Sequence, residues 1–194
     1  LLSVNPYDPH PPFDPPQSYL DRYDPDDLPP PLFRESDLER QKMFENVRAQ
    51  TVRAANPLAD DEKKEVASSQ PERGYRPPES YNGRKVKAAY YAMVELIDTA
   101  LGKVMDALEE SGQLDKTLIV FTSDHGELLG DHGLLYKGCR FFEGLTHVPL
   151  ILSNPGRFQA GLCAEGLTEL IDIAPTILEA AGLDVHEDMQ GRSL

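Results

Sequence analysis

Ser123-Asp124-His125-Gly126 closes an apolar run, and Asp131, His132 and Lys137 follow within one short glycine-rich stretch. A carboxylate and an imidazole are side chains that bind divalent cations through oxygen and nitrogen. A lysine ammonium answers an anionic oxygen as a compact point charge. Taken together, these residue types describe metal-assisted handling of an anion. Taken singly, each has a plainer explanation. Asp is favoured in turns after strands, a lone histidine is more often a structural hydrogen-bonding residue, and a lone lysine usually lies on the surface. Two adjacent candidate ligands at a strand end, with a cation shortly after, favour a site.

The surrounding pattern says which elements must position them. Thr117 to Thr122 is β-branched and aromatic, bounded by polar residues, and predicts a buried strand. Asp124 and His125 then stand at its carboxyl end, where open α/β sheets bind ligands. Gly126, Gly130, Gly133 and Gly138 let the following segment turn back toward the strand tip. Upstream, Val86, Ala89, Tyr90, Met93, Ile97, Ala100, Leu101, Val104 and Leu108 recur at helical spacing, predicting a helix from about Arg84 to Ser111 that packs on the sheet and stops at Gly112. Tyr90 and Tyr91 are read as helix-stripe core rather than substrate-stacking residues. Val148 to Leu152 reads as a second strand, confined by Pro149 to a start or an edge, and Leu167 to Ile171 as a third. Asp172 is expected to cap a helix that carries Pro175 in its first turn and ends at Gly182. His147 and His186 have no motif around them and are read as structural. The alternation of helix and strand predicts an α/β fold with a mostly parallel central sheet flanked by helices.

Ten of the 17 prolines precede residue 32, which excludes regular helix or central strand there. An ordered wrapping loop is expected over residues 1–31, with a polyproline ligand segment as the alternative. Residues 32–81 mix charge with few large apolar side chains and read as a variable insertion. A helix from about Ser36 to Ala55 would set Leu38, Met43, Phe44 and Val47 on one side. The remaining residues, 82–194, form the predicted α/β core. At 194 residues and 40% hydrophobic content the chain has enough apolar surface for a core. A formal charge of −14 argues against nucleic acid, because phosphate backbones are bound by clustered Lys and Arg. Two cysteines suggest no disulfide framework, and no apolar run approaches the roughly 20 residues of a membrane-spanning helix.

The late motifs, SDHGE, then GDHG, then Lys137-Gly138, resemble those of the sulfatase family in the alkaline phosphatase superfamily. The resemblance continues through Phe142-Glu143-Gly144, Val148-Pro149-Leu150 and Asp172-Ile173-Ala174-Pro175-Thr176, and upstream through Pro9-His10-Pro11-Pro12-Phe13. It covers nearly all of the chain outside Leu32 to Tyr81. It implies an alkaline-phosphatase-like sandwich, with Asp124 and His125 as metal ligands, His10 and Lys137 on the oxygens of a sulfate ester, and His132 as a supporting or leaving-group-side residue. The implied ion is Ca²⁺, which an oxygen-only site favours, while an imidazole ligand admits Mn²⁺ or Zn²⁺. The implied substrate is a sulfate ester of a small molecule or a carbohydrate.

Relatives of this kind attack sulfur with a formylglycine made from cysteine, or with a serine, in a Cys/Ser-x-Pro/Ala-x-Arg motif. Cys139 begins CRFFE and Cys163 begins CAEGL, while Ser36 has Leu38 where Pro or Ala should stand. The chain is therefore expected to lack that motif and the early aspartate pair, to be the later part of a longer enzyme, and to be inactive on sulfate esters by itself. A phosphonate or phosphate ester hydrolase of the same superfamily would share SDHG, and a non-catalytic metal-binding homologue would retain the metal edge alone. The compartment is left open.

Overall fold

The computed structural model describes residues 1–44, 54–58, 80–138 and 140–194. Its elements in chain order are α1 (Gln17–Leu20), α2 (Glu35–Lys42), α3 (Gly83–Glu110), β1 (Ile119–Thr122), α4 (Glu143–Thr146), β2 (Leu150–Ser153) and α5 (Ile173–Ala180), with 3₁₀ turns at Pro25–Asp27, Leu114–Lys116, Asp131–Gly133 and Leu170–Asp172. The chain divides into two compact units. One holds Leu1–Asp106 with His125–His147, and the other Ala107–Asp124 with Val148–Leu194.

In the first unit, α3 begins where the Asn82 side chain accepts from the Arg84 and Lys85 amides at 3.0 and 3.1 Å, an N-cap the helix needs for its orphan donors. Val86, Ala89 and Met93 are buried against Phe13, Leu129, Leu135 and Tyr136. The expected helical stripe therefore exists, but its buried part packs on loop residues rather than on a sheet. Tyr90 joins that core and meets Phe13 edge-on at 6.2 Å, and burial pushes its hydroxyl up to about 12. Tyr91 is exposed and meets Tyr23 edge-on. The proline-rich segment runs along the same helix. Arg22 pairs with Glu95, the Tyr19 hydroxyl donates to Thr99 Oγ1 at 3.2 Å, and Arg84 donates to the Asp26 carbonyl at 2.8 Å.

Helix α2 is shorter than the spacing suggested, and its buried residues are Asp37 and Gln41, while Met43 is exposed. The reason is polar. Asp37 accepts from the Arg34 amide at 2.8 Å, so the face turned inward closes the helix start instead of burying Leu38 and Met43. Val47 lies outside the described residues.

In the second unit, α3 ends at a glycine with φ of +65°, Gly112, and Gln113 N–H returns to the Leu108 carbonyl at 2.9 Å. Among the described residues the sheet has two strands, β1 and β2, paired antiparallel with Val120 opposite Leu152 and Phe121 opposite Ile151. This corrects the expectation of a mostly parallel sheet. Parallel neighbours are usually joined by a crossover helix, and the connection from Thr122 to Leu150 carries only the 3₁₀ turn Asp131–Gly133 and the single turn α4. β2 starts directly after Pro149, which has no amide to give the ladder. Residues Leu167 to Ile171 are not a strand. They lead into the 3₁₀ turn at Leu170–Asp172, and Asp172 holds the expected N-cap position of α5, though its side chain caps no α5 amide and instead accepts from the Glu169 amide as the third residue of the turn's capping box. Asp172 also accepts from Arg192 N–H at 2.9 Å, and Thr176, which donates to the Asp172 carbonyl, accepts from Leu194 N–H at 3.1 Å. Asp172 thus clips the last residues onto α5, and these amide donors hold its carboxyl below the usual range.

Candidate active site

The site residues rest on a buried loop. Leu128, Leu134, Leu135 and Tyr136 are each at most 3% exposed, so the turn between Asp124 and Lys137 buries its apolar side chains. Its path is held by backbone bonds: Gly126 N–H donates to the Leu145 carbonyl at 2.9 Å, and Leu129 and Gly130 N–H donate to Leu135 and Leu134 carbonyls. Glycine is required at 126, because a Cβ there would lie 2.0 Å from the Gly144 carbonyl oxygen. Gly130 adopts φ of +103°, a conformation that side-chain-bearing residues rarely take.

Lys137 follows this core directly. Tyr136, the residue before it, lies 6.2 Å from Phe13, ring centre to ring centre, and Phe13 lies three residues after His10. One aromatic anchor therefore ties the His10 segment and the Lys137 segment into a single core. His10 is half-buried, its ring 5.0 Å from that of Tyr7, and its Nδ1 lies 2.8 Å from the Pro11 carbonyl. A carbonyl only accepts, so Nδ1 carries the proton, and the ring can donate to an anion through Nε2 only as the imidazolium.

Asp124 and His125 are exposed, two and three residues beyond the end of β1. His125 Nδ1 donates to the Gly126 carbonyl at 2.8 Å, which fixes the tautomer whose Nε2 bears the lone pair. That donor set, a hard carboxylate beside an oriented imidazole, fits a divalent cation. Among the described residues no three His, Cys, Asp or Glu side chains gather into a group that could hold a metal ion.

His132 sits in the left-handed region with φ of +58°, and its ring stacks on Phe142 at 4.1 Å. Its amide donates to the Leu32 carbonyl while Asp131 accepts from the Leu32 amide, and Lys87 lies 3.7 Å from Asp131. GDHG therefore fastens residue 32 onto the loop. The carboxylate that the residue-type argument passed over is Glu127. It is almost wholly buried, lies 3.9 Å from Lys137, and burial pushes it up to about 7 against the pull of that lysine. Its signal in the sequence was its place shortly after the ligand candidates Asp124 and His125. The sequence also holds Ser69-Gln70-Pro71-Glu72-Arg73, which satisfies Ser-x-Pro-x-Arg and corrects the expectation that no such string occurs. It stands after His10 and lies outside the described residues.

The Sulfatase family model matches residues 1–183. The chain belongs to the sulfatase family. An arylsulfatase of Clostridium perfringens is 33% identical over 189 residues, which are 96% of this chain and 34% of that protein, so the chain spans about a third of such a relative. A solved phosphonate monoester hydrolase from Silicibacter pomeroyi superposes with a TM-score of 0.75 at 32% identity, over 96% of this chain and 34% of its own. A solved complex with the substrate D-glucosamine-2-N,6-O-disulfate superposes with a TM-score of 0.55 at 37% identity, over 58% of this chain and 23% of its own. These neighbours place the chain's fold among the alkaline-phosphatase-like sulfatases. Among the described residues no helix is long and apolar enough to cross a membrane.

Proposed function

We propose that this sulfatase-family chain supplies the anion-gripping side and part of the metal shell of a sulfuric ester hydrolase. The observation that carries the reading is the packing of Phe13 on Tyr136, which keeps His10 and Lys137 on one core. In this reading Lys137 offers an ammonium, and His10 as imidazolium offers an Nε2–H, to the equatorial oxygens of the ester. Such fixed donors lower the barrier because they meet the charge that grows in the transition state without reorganising. Asp124 and His125 hold a divalent cation, expected to be Ca²⁺ with Mn²⁺ or Zn²⁺ as alternatives. When bound, that ion polarises an ester oxygen as a Lewis acid. His132, stacked on Phe142, stands on the leaving-group side. In this reading the nucleophile, formylglycine or serine, lies outside these 194 residues, and Ser69→Ala tests the Ser-x-Pro-x-Arg string at Ser69 to Arg73. The substrate is a sulfated small molecule or carbohydrate.

A second reading is hydrolysis of a phosphonate or phosphate ester. It is favoured by the extent of the likeness to the Silicibacter enzyme, which superposes over 96% of this chain. Turnover of an aryl sulfate and an aryl phosphonate ester by the full-length protein separates the two. Faster hydrolysis of the sulfate supports the first reading, and preference for the phosphonate replaces it with the second. Hydrolysis of neither removes both.

A further inference from the structure

A lysine that must meet an anion has a difficulty of its own: four rotatable bonds leave its ammonium poorly placed unless something holds it. Hydrogen bonds would hold it but would use the N–H groups that the anion requires. Around Lys137 the protein does something else. The ammonium nitrogen is buried, yet among the described residues it has no hydrogen-bond partner. The nearby Glu127 carboxylate has one oxygen 3.9 Å away, and its other oxygen, Oε1, is buried and likewise unbonded. The Glu127 side chain is 5% exposed and that of Lys137 28%. A separation of 3.9 Å is too long for a hydrogen bond but close enough for a strong field where water is excluded.

The carboxylate is itself held firmly. Gly126 before it is bonded to Leu145 and closed in by the Gly144 carbonyl, and Leu128 after it is 2% exposed. A buried charge pair is a poor means of stabilising a fold, since desolvation offsets most of the attraction. A fixed carboxylate facing an unbonded ammonium has a clearer use in aiming it.

We infer that Glu127 is a positioning residue that aims the Lys137 ammonium by charge alone and leaves all three of its N–H groups for the oxygens of the bound ester. The inference rests on the ester-hydrolase reading for the identity of the anion. It goes beyond that reading in giving Lys137 a dedicated partner. Glu127 touches neither substrate nor metal in this account.

The test is a mutant cycle in the full-length protein with an aryl sulfate and an aryl phosphonate as substrates. Misplacing a catalytic group by about 1 Å can cost on the order of a hundredfold, so Glu127→Gln, which keeps shape and removes charge, should lower kcat by roughly tenfold or more. KM should change by less than about twofold, because a loosened lysine still visits its binding position. Glu127→Asp should recover part of the loss. In a Lys137→Ala background the same Glu127→Gln change should have no further effect on kcat, and equal losses in both backgrounds would show a merely structural role and overturn the inference. A second readout does not depend on turnover. In nitrogen-15 spectra of lysine ammonium groups, the Lys137 signal, assigned by its loss in Lys137→Arg, should broaden or shift in Glu127→Gln; an unchanged signal contradicts the inference. If wild type hydrolyses neither ester, the ester-hydrolase reading fails, while the spectra still decide whether Glu127 holds Lys137.

Discussion

The loop from Leu128 to Tyr136 and the two-stranded sheet reverse the usual division of labour. Loops normally lie on the surface and strands are buried, yet here Leu134 and Leu135 have no exposure while Ile151 in β2 is 55% exposed and every residue of β1 is half-buried. The loop is the centre of its own unit, packed on α3 and Phe13. A loop with that much buried apolar surface can hold charged side chains still, which is the requirement for gripping an anion. The packed support beneath Lys137, and through Phe13 beneath the His10 segment, is this loop core.

The largest effect should come from opening that core. Leu135→Ala should destabilise the protein by about 2–5 kcal/mol, since a fully buried leucine leaves a cavity when truncated. Urea unfolding measures it, and a loss under about 1 kcal/mol would mean the loop is not a core. Next, Lys137→Ala should lower turnover by about a hundredfold or more while far-ultraviolet circular dichroism stays unchanged. Near-normal turnover would remove Lys137 from the site.

A smaller effect concerns acid. Asp172 accepts from the amides of Glu169 and Arg192, which lowers its carboxyl below the ordinary value. Its contribution is therefore complete above the unfolded carboxylate value of about 4 and is lost as pH falls through the lower folded value. Melting curves between pH 6 and 3 should show the wild type losing stability that Asp172→Asn, already weaker at pH 6, does not lose; parallel curves would contradict the clip. The smallest effects sharpen the contrast. Ile151→Ala should cost within about 0.5 kcal/mol, because its side chain is half in water. Ser69→Ala should leave turnover unchanged, and its loss would make Ser69 the nucleophile.

Much of this was legible in the sequence. Gly112 closes a helix whose apolar spacing runs from Val86 onward, and β-branched residues announced β1. The residue types around Asp124 and Lys137, with the family resemblance, suggested the metal-assisted anion chemistry that is proposed above. The sheet's sense was not legible, because strand patterns do not record direction, and the pairing of Val120 with Leu152 is set by tertiary structure. Asp172 was legible as the residue before α5, but the use of its side chain was not, because its partner Arg192 lies 20 residues away. Glu127 was hidden for a similar reason: burial, which gives it meaning, is a tertiary property that a string of letters does not carry.

The most direct measurement is the coupling between His10 and Lys137. Both are held on one aromatic core and are assigned to the same anionic group, so turnover of an aryl sulfate should be measured for His10→Ala, Lys137→Ala and the double variant of the full-length protein. The account predicts that each single change costs about a hundredfold or more and that the double variant loses much less than the product of the two, as residues acting on one group do. Two small losses that simply multiply would place His10 and Lys137 apart in function and contradict it.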